Sequence, residues 1–429
     1  MTLHISPKDD LLSVPRRITI SGYEPLSIIY VDSETQRRGG LWTSRNYYLV
    51  DAQGRVDLDR DAPVWGDAFQ AGSDVVFFSQ KPEDGVDPDP APSELADGLT
   101  TTITVNDQHG SSESQQVIQR FIGPGVTRTL IDQDGVKGVL FTPPGAGPFQ
   151  SVVLLNGSDG GTHETRAALL ASNGIQVLSL AYFNYPGLSP YISQTNLEYF
   201  ENAFAWANRE LDPLGGKVAT SGGSRGGELS LLLPATFPEL VFGTAAFVPG
   251  AFVHSAQTSK APEADWRDPA WLQAGVGLSN LFAGNPFAPV ESPFLHSNPH
   301  FEQHNRRNSV FIDAQASSTH RERARIKVEN IQGPVFLASG TDDKVWPGSF
   351  ASRWVKAQLE AHGHPWEVTH LDCIGAGHQI GLPDVPRVIV APHPVSGTIG
   401  TSGGSASANQ RASRESFDAV LRFFHRINA

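Results

Sequence analysis

The sequence predicts two folds in series, a small all-β sandwich followed by a larger α/β unit on a mostly parallel sheet. Three observations carry this. The hydrophobic texture changes near Phe121, a glycine-framed serine stands between a strand and a helix, and an acid and a histidine follow it in order at the ends of later strands. With 429 residues, 39% of them apolar, the chain has material for more than one core.

Residues 1–121 supply the sandwich. From Ile18 to Thr104 short runs rich in β-branched and aromatic residues recur between turn clusters. Leu26 to Val31, Asn46 to Val50, Asp74 to Phe78 and Thr101 to Val105 are the strand candidates. Asp51 to Gly54 and the proline-rich stretch Lys81 to Pro92 separate them and are poor in core formers. No helical period interrupts the series, and the pattern fits an antiparallel, immunoglobulin-like sandwich.

Residues 122–429 alternate apolar strands with helical periods, the signature of a sheet covered by helices. Strands are expected at Gln150 to Leu155, Gly174 to Leu180, Lys217 to Thr220, Val241 to Phe247, Pro334 to Ser339 and Trp366 to Leu371. Helices are expected at Thr165 to Ser172, Leu197 to Arg209, Arg225 to Leu233, Phe350 to His362 and Arg411 to Asn428. Pro234 should end or kink the third of these. Ala251 to Glu329 has weak periodicity and reads as a lid-like or pocket-forming insertion that decorates the sheet. Gly397 to Asn409, rich in Gly, Ser and Thr, reads as a flexible loop.

Composition removes several function classes. Asp plus Glu outnumber Lys plus Arg by 13, which argues against a surface built to neutralise nucleic-acid phosphates. Cys373 is the lone cysteine, so neither an internal disulfide nor a zinc site of the usual spacing is expected, and a buried structural thiol is the reading for it. No apolar run approaches the roughly 20 residues of a membrane span. The amino terminus lacks a basic start and apolar core, so the chain is expected to be cytoplasmic, without metal or cofactor. The oligomeric state is left open.

The chemistry centres on Gly222-Gly223-Ser224-Arg225-Gly226, a match to G-x-S-x-G. In a chain with 42 glycines the bare pattern can arise as an ordinary turn, so its context decides. A strand before and a helix after it are what a nucleophile elbow requires, because the serine must be exposed at a strained turn with no side chains crowding it. A serine needs a base, and the order Ser, Asp, His is then expected. Asp343 follows the strand Pro334 to Ser339, with Asp342 as its competitor. His378, framed by glycines after the strand Trp366 to Leu371, is the expected base. His163, His320 and His370 lack that combination. The oxyanion hole is expected from the amides of Arg225 and Ser158, the latter in the glycine-rich loop Asn156 to Gly161. Tyr182, Phe183, Tyr185 and Trp346 are either pocket lining or plain core.

These residues bring out a resemblance. Gly54 to Gly66, Ala181 to Tyr185, Leu197 to Phe200, Gly223 to Leu229, Gly340 to Asp343 and Gly375 to His378 resemble, in order, blocks of the acyl-CoA thioesterase and bile acid-CoA:amino acid N-acyltransferase family. The resemblance implies an immunoglobulin-like domain joined to an α/β-hydrolase domain, with Ser224 as nucleophile, Asp343 as acid and His378 as base. It also implies a small-molecule acyl thioester substrate. Members that transfer to glycine or taurine typically carry cysteine at the nucleophile, so Ser224 leans towards water as acceptor. The chain departs from the family in residues 251–329 and in having basic residues only in short groups such as Arg37-Arg38 and Arg306-Arg307. The alternatives are an esterase or lactone hydrolase, an acyltransferase on a specialised metabolite, and an inactive binding or scaffold protein.

Overall fold

The computed structural model describes residues 1–85, 89–257, 267–282, 317–387, 390–393 and 399–427. At the amino-terminal end, a three-stranded sheet (Thr2–Ser6, Arg17–Ser21, Arg55–Asp57) and a seven-stranded sheet share one core. The long strands Ile28–Arg37 and Gly40–Leu49 pair antiparallel, and their side chains alternate between buried and accessible. That period of two sends Ile29, Val31 and Tyr48 inward to meet Ile18, Ile20 and Val56 of the smaller sheet.

Asp74 to Phe78 is not a strand. Val75–Phe78 forms one buried helical turn, all four side chains inside. A short β-branched and aromatic run signals burial, and when every face is buried it cannot report the backbone.

The second sheet has eight strands, in the order 127–133, 136–142, 176–180, 151–155, 218–223, 241–247, 335–340 and 368–373. The first two pairings are antiparallel and the rest parallel. Ser151–Leu155 is buried throughout, with Val152 and Leu154 facing one apolar cluster and Val153 and Leu155 the other. A strand covered on both faces loses its alternation and reads as a continuous apolar run. Helices Glu164–Ser172 and Ala406–Arg426 cover one face; Leu197–Glu210, Arg225–Thr236 and Gly348–Ala361 cover the other. This is the α/β-hydrolase sheet preceded by an all-β region.

Pro234 neither ends nor breaks the helix Arg225–Thr236. Proline removes the bond to the carbonyl four residues back, that of Ser230. Here Thr244 Oγ1 donates to that carbonyl at 2.7 Å, and Thr220 Oγ1, on the neighbouring strand, shares its proton between the carbonyl (3.1 Å) and Thr244 Oγ1 (2.9 Å). The defect is repaired from outside the helix.

Two further expectations change. Of the segment 251–329, residues 258–266 and 283–316 lie outside the described residues; the remainder adds side chains to the core, while residues 273–277 and most of the helix Ser318–Ala324 stay accessible. Trp271, Leu281, Phe282, Ala324, Ile326 and Val328 are buried in the cluster beneath the elbow helix. Residues 399–409, part of the stretch read as flexible, hold a strand (Ile399–Thr401), two tightly packed glycines and the start of the last helix.

Among the described residues no helix is long and apolar enough to cross a membrane, and no group of His, Cys, Asp and Glu is placed to hold a metal ion.

Candidate active site

Ser224 sits at φ 58°, ψ −123°, between the strand Val218–Gly223 and the helix that Arg225 opens. A non-glycine residue in this region of backbone space is strained, and the surrounding packing must hold it. The flanking glycines show how. A Cβ on Gly222 would lie 2.4 Å from the carbonyl oxygen of Gly226, and one on Gly226 would lie 2.3 Å from that of Leu155. Ser224 N donates to Phe247 O at 3.0 Å, which fixes the elbow against the next strand.

The acid and the histidine are in contact. His378 Nδ1 and Asp343 Oδ2 are 2.7 Å apart, with side chains 12% and 2% exposed. Asp343 Oδ1 also accepts from the amides of Val345 (2.9 Å) and Trp346 (3.2 Å), so its carboxylate is fixed at both oxygens. Asp342 is committed elsewhere, accepting from Lys344 Nζ and, at 3.1 Å, from Gly404 N. Geometry therefore separates the two aspartates that sequence could not.

The stretch around Gly403 braces both loops. It bridges to Asp343 and Ala376, while Ser402 O accepts from His378 N at 2.7 Å and Asn409 Oδ1 from Gly377 N at 2.7 Å. What reads as flexible is the strap that holds the acid and base loops together.

The two halves meet at Phe247 and Val248. Phe247 O holds the Ser224 amide, and Val248 O accepts from Trp346 Nε1 at 2.7 Å. The Trp346 ring in turn stands edge-on to His378 at 6.0 Å. Among the described residues Ser224 Oγ makes no hydrogen bond, to His378 or to any other side chain. Such contacts are often long before substrate arrives.

In the glycine-rich loop, Asn156 takes the amide of Gly157 (2.9 Å) and donates to Gly160 O (2.5 Å). Gly160 N bonds Gly157 O (3.2 Å), and Gly161 N bonds Phe183 O (2.9 Å). Among the described residues the Ser158 amide has no acceptor, and a Cβ on Gly157 would lie 3.4 Å from that of Ser224. Arg225 N, at the first position of its helix, has no intrahelical acceptor. The amide of Arg225 follows the serine directly, and that of Ser158 belongs to the residue after Gly157, which packs against it. Tyr182 is core with a polar tip, its hydroxyl donating to Asn156 O at 2.7 Å, while Phe183 is plain core.

Sequence reasoning missed three features. His393 meets Ser158 Oγ through Nε2 at 2.7 Å, a proximity no local pattern signals. Behind the elbow, fully buried Glu228 accepts from Arg225 Nη1 (2.9 Å) and Trp271 Nε1 (3.1 Å) and meets His254 Nδ1 at 3.0 Å. Burial pushes the Glu228 carboxyl up, but Arg225 and His254 outweigh it and hold it below the usual carboxylate range. The third is a pair of arginines, buried Arg166 and half-buried Arg387. An acid three residues after Arg225 was the one available signal for the second feature. Of the histidines set aside, His163 caps the helix Glu164–Ser172, His320 lies in Ser318–Ala324, and His370 bonds Ser339 Oγ at 2.7 Å within the sheet. Burial lifts the Cys373 thiol to about 11, as befits a structural residue.

An eight-stranded sheet of this order, a serine at a strained elbow and a braced Asp–His pair define the α/β-hydrolase class. The chain belongs to the family described as BAAT / Acyl-CoA thioester hydrolase, whose carboxyl-terminal region matches residues 195–428 and whose amino-terminal region matches residues 13–133. It is 28% identical to acyl-coenzyme A thioesterase 1 of Rattus norvegicus, over 96% of this chain and 93% of that protein. It is 27% identical to acyl-coenzyme A amino acid N-acyltransferase 1 of Mus musculus, over 98% and 96%. It is also 27% identical to the mitochondrial acyl-coenzyme A thioesterase 2 of Mus musculus, over 99% and 89%.

Proposed function

We propose that this chain hydrolyses acyl thioesters, with coenzyme A as the thiol carrier, through an acyl-Ser224 intermediate. The observation that carries the reading is the 2.7 Å Asp343–His378 pair, joined through Trp346 and Val248 to the strand that holds a strained, half-buried serine. His378 Nε2 takes the Ser224 proton as Oγ attacks the thioester carbonyl, and Asp343 holds the ring with Nδ1–H directed at itself. The amides of Ser158 and Arg225 receive the oxyanion. Collapse expels the thiolate, which takes the proton back from His378. Water then enters, gives a proton to the same imidazole, and the acid leaves as Ser224 is regenerated.

Relatives named for hydrolysis and for amino acid transfer both match along nearly the whole chain, so the acceptor is decided here by chemistry. Serine at the nucleophile favours water. We further propose domains at residues 1–121 and 122–429, the second with a lid-like or pocket-forming insertion at about 251–329, of which 258–266 and 283–316 lie outside the described residues, and a cytoplasmic location that cell fractionation would test.

Free-thiol release from an acyl-CoA series tests the reading. Ser224→Ala should lose at least about 10³-fold in kcat, and full activity in that variant would refute the assignment. Asp343→Asn should lose about 10²–10⁴-fold because the imidazole is no longer held in the productive tautomer. Asp342→Asn should lose far less; the reverse ranking would move the acid to Asp342.

A further inference from the structure

A buried guanidinium without a counter-charge costs several kcal/mol, and arginine cannot escape by losing its proton. Native proteins therefore seldom keep one unless something answers it. Arg166, in the first turn of Glu164–Ser172, is 6% exposed, and its Nε and Nη2 have no hydrogen-bond partner. Nη1 makes one long bond, 3.5 Å to Gly381 O, and the guanidinium lies 3.9 Å from the centre of the Phe247 ring. Arg387 grips the next carbonyl along, Leu382 O, at 2.5 Å, reaches Ser413 Oγ at 3.4 Å, and also leaves a buried Nε unpartnered. Two cations thus hold adjacent carbonyls of one loop.

The acids near them are spent. Asp384 meets Arg414 and Gln410, and Glu164 meets Arg128. Burial and the charges of both arginines depress the neighbouring His163 to about 4, so it adds no anion and no relief.

The unpartnered edge of Arg166 identifies what it would take. Nε and Nη2 form the side-on edge through which Arg45 clasps Asp32, Arg120 clasps Asp9 and Arg128 clasps Glu164 elsewhere in this chain. All three partners are carboxylates gripped at both oxygens, the planar match a guanidinium makes best. The location joins the site as well. Gly381 lies three residues beyond His378, Phe247 carries the Ser224 amide on its carbonyl, and His163 closes the loop that holds Ser158.

We infer that Arg166 and Arg387 form a subsite for a carboxylate of a substrate, on the side of the elbow opposite Glu228. The inference rests on the thioesterase reading for its two sources, a second carboxylate on the acyl chain or the carboxylate of an amino acid acceptor.

Binding is tested without catalysis. Thermal unfolding of the Ser224→Ala protein is followed against acetate, with ionic strength held constant by a bulky organic sulfonate. A saturable rise of a few degrees is expected, lost when Arg166→Gln is added and weakened by Arg387→Gln. Arg387 is the more exposed of the two, so its variant keeps the test open should the first fail to fold. Equal acetate responses in all three proteins, or none in the parent, would overturn the inference.

Two kinetic arms on the chain with Ser224 intact then name the source. One compares CoA thioesters of a dicarboxylic acid with length-matched uncharged thioesters; the other follows glycine-dependent amide formation. Arg387→Gln should lower one of these selectively, by about tenfold relative to the uncharged hydrolysis. If neither arm responds selectively, the subsite is not a substrate site and the inference fails whatever acetate does. Absence of any Ser224-dependent thiol release would instead refute the functional reading, leaving the acetate result to stand by itself.

Discussion

Two buried charged clusters flank the serine elbow on opposite faces of the central sheet, and they are built on opposite plans. On one face Glu228 lies among Arg225, His254 and Trp271, every oxygen engaged by donors of the chain itself. On the other face Arg166 and Arg387 share two loop carbonyls and no carboxylate. The first cluster balances its charges, although Arg225 Nε is buried without a partner, and it ties the elbow helix to Trp271. The second leaves donors of one sign turned inward. A buried charge that the chain has not balanced is a place for something the chain does not encode.

The sharpest way to break this contrast is to remove one member from each side. Glu228→Gln leaves Arg225 buried without its counter-charge and should cost about 3–5 kcal/mol in urea unfolding. Arg166→Met removes a cation that nothing balances, and without added anion it should cost less than about 1 kcal/mol or stabilise the fold. Similar losses in both variants would show that Arg166 has a partner in the native chain, and the two clusters would then be alike.

A smaller effect reads the open side through pH. His163 titrates at about 4 in the folded chain against an ordinary value of 6.5, because burial and the two arginines disfavour its charged form. Below pH 6.5 the unfolded chain binds a proton that the folded chain refuses. Stability from this group is therefore complete above 6.5 and declines as pH falls towards about 4, by at most about 3 kcal/mol. The difference between the parent and His163→Asn unfolding curves, measured from pH 7 to 4, isolates that term. A flat difference would mean that His163 does not feel the two arginines.

What was legible in sequence follows the same division. Ser224 and His378 could be singled out as candidates because each stands at a strand end in a loop framed by small residues, a local signature; between Asp343 and Asp342 only the His378 contact discriminates. The mostly parallel, helix-covered sheet follows from the alternation of strands and helices, whereas its antiparallel strands 127–133 and 136–142 were not read. The short helix Val75–Phe78 was misread because its residues report burial and nothing more. The strap near Gly403 was misread because Gly-Ser-Thr composition also suits tightly packed turns; a Cβ on Gly377 would lie 2.2 Å from the Gly403 carbonyl oxygen. The charged clusters were invisible for a different reason. Glu228 meets His254 and Trp271, and Arg166 meets Arg387, across 26 to more than 200 residues, where no period or motif reaches.

The smallest predicted effect tests whether compensation by neighbours is a general habit of this fold. Pro234 stands inside the elbow helix, which runs on to Thr236, and the carbonyl it leaves without a helical donor, that of Ser230, accepts from Thr244 and shares the Thr220 hydroxyl with Thr244 Oγ1. Its lone pairs are thereby engaged by neighbours. Pro234→Ala returns an N–H to the helix, and in an ordinary interior the change would be worth about 3 kcal/mol. Here the new donor meets an acceptor already filled, so the gain should stay within about 1 kcal/mol. Adding Thr244→Val empties one lone pair and should make the alanine worth more, by a coupling of about 1 kcal/mol in a double-mutant cycle. Additive losses would mean that the threonines do not repair the helix, and that it tolerates its proline for another reason.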